Sequence, residues 1–154
     1  FRSDEMGSAV HAASLERPVK LMIALEMIGY YDSTPGSQDY PSPAMSWLYP
    51  DRGDFIAVVG RMQDINAVRQ VKAALLSSRD LSVYSMNAPG FIPGVDFSDH
   101  LNYWQHDIPA VMITDTAFYR NKQYHLPGDI ADRLNYQKMA QVVDGVTTLL
   151  YNSK

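Results

Sequence analysis

The run Phe55-Ile56-Ala57-Val58-Val59-Gly60, followed by Ile65 to Leu75 and then by Leu81-Ser82-Val83-Tyr84-Ser85-Met86, decides the fold. The first stretch is short, apolar and rich in β-branched residues, and it closes on a glycine, as a buried strand does. In the second, Ile65, Val68, Val71 or Lys72, and Leu75 recur at the spacing of one helix face, and the third is strand-like again. Strand, helix, strand is the crossover that lays a helix on one face of a sheet.

Working outward, Val19 to Ile28 is dense in Leu, Ile, Met and Val with too little alternation for a surface strand. It reads as a buried central strand with Glu26 near its C-terminal end. Ser3 or Asp4 can cap a first helix reaching about Leu15, ahead of Pro18. Downstream, His100 to His106 predicts a short helix and Pro109 to Thr114 a strand. Met139, Val142, Val143, Val146, Leu149 and Leu150 then form the apolar stripe of a final helix. The segments 32–54 and 115–132 read as loops. The first carries Tyr40, Trp47 and Tyr49, so it is expected to pack and not to be disordered. One α/β unit of 154 residues, with helices on a mostly parallel sheet, accounts for the pattern.

Composition excludes several classes. The net charge is -4 and Lys and Arg are scattered, so the basic surface of a nucleic-acid binder is missing. Without cysteine there is neither a disulfide scaffold nor a thiolate metal site. The longest strongly apolar stretch, Leu21 to Ile28, is interrupted by Glu26 and is too short to span a bilayer.

Two groups stand out as metal donors. Glu26 ends an apolar strand, and His125 sits in the turn Tyr124-His125-Leu126-Pro127-Gly128-Asp129, where Asp129 could steady a metal-bound imidazole. Each also has a plainer reading, as a salt-bridged or solvated acid and as an exposed turn histidine. Ser98-Asp99-His100 holds triad residue types, but neighbours in sequence cannot easily adopt triad geometry, and no Gly-x-Ser-x-Gly elbow occurs. His100 and His106 are six apart and do not form a two-histidine zinc motif, and no phosphate-binding glycine loop is present.

In order, Met22 to Tyr31, Ser98-Asp99-His100 with Ile108-Pro109-Ala110, and Thr114-Asp115-Thr116-Ala117-Phe118-Tyr119 leading to His125 and Asp129 resemble the C-terminal half of the di-zinc aminopeptidase family. Glutamate carboxypeptidases and glutaminyl cyclases are relatives of that family. The resemblance implies a three-layer helix-sheet-helix fold with a mixed, mostly parallel sheet. It also implies two zinc ions in the complete enzyme, which activate a water for hydrolysis of the N-terminal residue of a peptide. Glu26 and His125 match one ligand of each zinc. Asp99, His100, Tyr119 and Arg120 would lie near the pocket as supporting or substrate-contacting groups.

The family's first His, its bridging Asp and its Glu-Glu pair, which includes the general base, have no counterpart here, and Phe1 to Gly7 resembles the segment that follows that pair. The chain is therefore expected to be the C-terminal portion of a single catalytic domain over 1–154. Alone it should be inactive and hold little or no zinc. An exposed sheet edge would favour pairing with a second copy. The family resemblance also points to a secreted or periplasmic location. Two other readings are a non-catalytic binding or scaffold domain of the same fold and an unrelated α/β small-molecule binder.

Overall fold

In the computed structural model, which describes residues 3–152, four strands form one sheet in the order β1-β4-β2-β3. The strands are β1 (Met22–Glu26), β2 (Phe55–Gly60), β3 (Ser82–Asn87) and β4 (Ala110–Thr114). The helices are α1 (Gly7–Ala13), α2 (Ile65–Leu75), α3 (His100–Trp104) and α4 (Tyr136–Asn152). β1 runs parallel to β4 and β2 parallel to β3, while β2 and β4 are antiparallel, so the α/β sheet is mixed and mostly parallel as expected.

Side-chain alternation along the strands creates two cores. Ile56, Val58, Val111 and Ile113 point to the layer of α2 and α4, where Val68, Val71, Leu75, Val142 and Leu149 meet them. Phe55, Ala57, Val59, Ala110 and Met112 point the other way, to Ala12 of α1 and Tyr103 and Trp104 of α3. The result is a helix-sheet-helix sandwich with β2 and β4 buried along their whole length.

Three expectations shift. β1 is an edge strand and not a central one: among the described residues it pairs with β4 alone, and Leu25 is 49% exposed. An apolar run reports cover on a strand's two faces; it carries no information about its two edges. α1 begins at Gly7, because Ser3 uses its hydroxyl to accept from the Glu5 N–H in a preceding turn. On α4, Val143 and Leu150 face solvent and the buried stripe narrows to Val142, Gly145 and Leu149. Gly145 lies so close to α2 that a β-carbon there would stand 2.8 Å from Leu75 Cα. Among the described residues no helix is long and apolar enough to cross a membrane.

Candidate functional site

The α1/α3 face of the sheet continues past the helices into a pocket with a cavity volume of about 90 Å³. Its floor is Phe55, Ala57, Tyr84 and Met112, from three strands, and Glu26 and Thr114 contribute from the C-terminal ends of β1 and β4. Three loop segments wall it: 38–49, 93–97 and 116–124.

The first of these walls is the aromatic loop that the sequence marked as packed. Its ends are drawn together by the bridge between Asp32 and Gly53. Tyr40 Oη donates to Pro50 O at 2.6 Å and Tyr49 Oη donates to Ser85 O at 3.0 Å, which ties the loop to β3. The Tyr40, Tyr49, Tyr84 and Phe55 rings follow one another at centroid distances of 5.8, 6.1 and 5.0 Å. Burial pushes the Tyr40 and Tyr49 phenols up, so both stay protonated and keep donating. The pocket is thus a largely apolar, aromatic chamber, the usual character of a small-molecule or side-chain site.

Glu26 lines the chamber, and among the described residues it forms no salt bridge. Ser98 Oγ donates to its Oε2 at 2.8 Å. Tyr124 lies close by: its phenol is pushed up first by burial and then by the negative charges of Glu26 and Asp129. Asp39 also lines the pocket, but Lys122 pairs with it in the solvent-exposed rim.

His125 follows Tyr124 directly, with a left-handed backbone (φ 59°) and an exposed ring stacked on Tyr124 at 3.9 Å. The turn that carries it is fastened from behind. Asn121 Nδ2 donates to Asp129 Oδ1 at 2.8 Å, and Arg133 donates both to Asn121 Oδ1 and to Tyr30 Oη. Asp129 therefore braces the histidine-bearing turn through Asn121.

Of the other residues singled out in the sequence, Tyr119 lines the pocket and its hydroxyl donates to Pro93 O at 3.2 Å, closing one wall on another. His100 is fully buried behind the pocket: its Nε2 pairs with the carbonyl of Val95, a lining residue, and its ring stands edge-on to Trp104. Burial pushes the imidazole down, so the neutral ring is favoured. Asp99 sits at the surface, accepting from Ser8 Oγ and joining α1 to α3. Arg120 is 3% exposed and faces inward, with its guanidinium on Gln38, Tyr30 O and Phe55 O.

Asp115 emerges as a centre the sequence placed in a motif but gave no role. Fully buried, it accepts from the N–H groups of Gly29, Tyr30 and Ala117, and its own N–H donates to Met27 O. It locks the segment after β1 to the segment after β4. Met27, Thr116 and Ala117 in these segments all have positive φ, so the strain is concentrated where the strands deliver Glu26 and Thr114 to the pocket.

A zinc site needs three or four protein donors. Among the described residues no three His, Cys, Asp or Glu side chains converge closely enough to hold an ion. Glu26 and His125 do not by themselves fit zinc.

Comparison with known proteins bears on the fold. No protein-family model matches the chain. It is 94% identical over 154 residues to YfbL of Escherichia coli K12, a protein described as uncharacterized, and spans 48% of YfbL's length. Among solved structures it superposes on the Legionella pneumophila LapA aminopeptidase with a TM-score of 0.63 at 20% identity, covering 94% of this chain and 35% of that one. BSAP, a zinc aminopeptidase from Bacillus subtilis, gives 0.62 at 16%, covering 96% and 32%. An aminopeptidase from Aneurinibacillus sp. strain AM-1 gives 0.59 at 21%, covering 94% and 29%. The fold is shared with aminopeptidases.

Proposed function

We propose that this chain is the C-terminal portion of a zinc-dependent aminopeptidase, supplying one donor to each of two zinc ions and the chamber that receives the substrate's first side chain. The observation that carries the reading is Glu26: a strand-end carboxylate, oriented by Ser98, facing an aromatic pocket beside the turn of His125. It sits in a fold shared with zinc aminopeptidases. The remaining donors and the general base come from chain beyond these residues, in keeping with the 48% of YfbL that is matched.

In this reading each residue has a defined task. The apolar chamber takes up a hydrophobic N-terminal side chain and excludes water around it. Ser98 holds the Glu26 carboxylate in one orientation, and Asn121 with Asp129 and Arg133 holds the His125 turn. His100 stiffens the Val95 wall from behind. The same reading takes the free edge of β1, where Leu25 is exposed, as a surface that pairs with a further strand or a second copy. It carries with it an exported location, secreted or periplasmic.

A non-catalytic binding domain of the same fold is the second reading, favoured by the lack of a three-donor cluster among the described residues. Activity of the longer protein separates the two. YfbL should release leucine and phenylalanine faster than glycine or glutamate from aminoacyl-p-nitroanilides. Replacing its counterpart of Glu26 by Gln should lower kcat/KM by about 100-fold, the scale of losing a metal donor or its support. Absence of release from all four substrates by the zinc-supplemented protein would favour the binding domain.

A further inference from the structure

Arg120 and Gln38 form a buried link that touches every wall of the pocket except one, and neither points into it as a reactive group. Arg120 Nε donates to Gln38 Oε1 at 2.9 Å. Its Nη1 donates to Tyr30 O at 3.0 Å and Phe55 O at 2.9 Å, one residue on the segment that follows Glu26 and the other on the pocket floor. Gln38 Nε2 donates in turn to Thr116 Oγ1 at 2.9 Å and to Asp39 O at 2.8 Å. Thr116 and Asp39 both line the pocket. Gln38 is 6% exposed and Arg120 3%, so water does not compete for these bonds.

Arg120 Nη2 is buried without a hydrogen-bond partner among the described residues, and the guanidinium packs against aromatic rings. It lies 4.6 Å from the Phe55 ring and 5.7 Å from the Tyr31 ring, a cation over aromatic faces. Gly53 allows the side chain to pass: a β-carbon there would stand 2.5 Å from Arg120 Cδ and Nε. The glycine that closes the 32–53 loop is therefore also the one that lets Arg120 reach the pocket roof. A planar fork spreads its donors over several nitrogens, so Nε and Nη1 reach acceptors on three segments, a span that the single nitrogen of an ammonium does not offer.

We infer that the Arg120–Gln38 pair is a specificity-determining positioning device: it sets the height of the 38–49 roof above the sheet and so the size of side chain the pocket accepts. This rests on the reading that the aromatic chamber is where an apolar group binds. One feature argues for a role beyond general stability: the link ends on pocket-lining residues and not on the helical layers. The roof is also joined to the 119–122 segment by the Asp39 N–H, which donates to Tyr119 O at 2.8 Å, and by the solvent-exposed and therefore weak pair of Lys122 with Asp39, but neither of these reaches the pocket floor as Arg120 does through Phe55 O.

The test follows binding through the methyl groups of Met45, Met86 and Met112, which line the pocket. Phenol and 2-naphthol serve as a small and a large aromatic probe, titrated into methyl-labelled protein by NMR. Gln38→Ala, which leaves Arg120 in place, should shift the affinity ratio toward 2-naphthol by about threefold or more, since pocket size discriminates on this scale. Arg120→Lys should move the ratio the same way, and Lys122→Ala should leave it unchanged. A Gln38→Ala protein that melts lower yet keeps the original ratio would overturn the inference and make the link purely structural. If neither probe moves those methyls in the unsubstituted protein, the pocket reading itself fails, and the inference with it.

Discussion

Arg120→Ala is expected to cost about 3–5 kcal/mol of folding stability, the scale of removing one partner from a buried charged network. The loss follows from what remains behind. Phe55 O and Tyr30 O would lose their Arg120 donor and Gln38 Oε1 would keep only the bond from Thr116 Oγ1, and a buried group left unsatisfied costs about 1–3 kcal/mol. The buried carboxyl of Asp115 would lose the positive charge that favours its ionised form. Arg120→Lys keeps the charge but not the fork, so about half that loss is expected. Urea denaturation at constant m-value gives the comparison. A midpoint for Arg120→Ala within error of the unsubstituted protein would mean that the guanidinium is replaceable by water and that the loop does not depend on it.

The second large effect is on pH dependence. Burial pushes the Asp115 carboxyl up to about 6 from an ordinary 3.8, against the opposing pull of three backbone N–H donors and Arg120. A folded-state value raised above the unfolded one means that the folded protein binds the proton more tightly. The corresponding stabilisation is fully present below pH 4 and is lost as pH rises through 6. The size is about 3 kcal/mol, from roughly two pH units of difference. His100 works in the opposite direction. Its imidazole is pushed down by burial, so stability is gained as pH rises toward 6.5. The two overlap, and the informative quantity is therefore the difference between the protein and Asp115→Asn. The unsubstituted protein should lose stability relative to that variant between pH 4 and 7. A difference that is flat, or that rises with pH, would mean that the three N–H bonds outweigh burial. Tyr31 and Arg120 are the other ionisable groups coupled to Asp115, and neither is expected to titrate in this window.

The same residues show how far the sequence could be read. β2, α2 and β3 were legible because a strand buried on both faces and a helix with one apolar face each leave a period in the chain. The neighbour relations of β1 were not, since pairing is settled by partners far away in sequence. α4 was recognised, but the width of its buried stripe depends on Gly145, whose lack of a side chain is what lets α2 come close. Glu26 was singled out from its position at a strand end and lines the pocket, and His125 was singled out from its turn, which lies beside the lining residue Tyr124. Their setting was hidden. The resemblance put Arg120 near the pocket, but nothing in its neighbours announces the Gln38 acceptor 82 positions away. The chamber itself is assembled from Tyr40 and Tyr49 on one loop, Tyr84 on β3 and Phe118 on another loop. The signal available was the aromatic content of the 32–54 loop, which indicated packing without indicating against what.

Zinc content is the most direct test of the account, because it asks whether Glu26 and His125 are halves of a site completed elsewhere. Purified YfbL and this chain would be equilibrated with a small excess of zinc, desalted and measured by elemental mass spectrometry. YfbL is expected to retain close to two zinc ions per molecule and this chain well under one, and replacing YfbL's counterpart of Glu26 by Gln, or that of His125 by Ala, should each lower the count. Stoichiometric zinc retained by this chain alone, or a YfbL that retains none, would contradict this expectation.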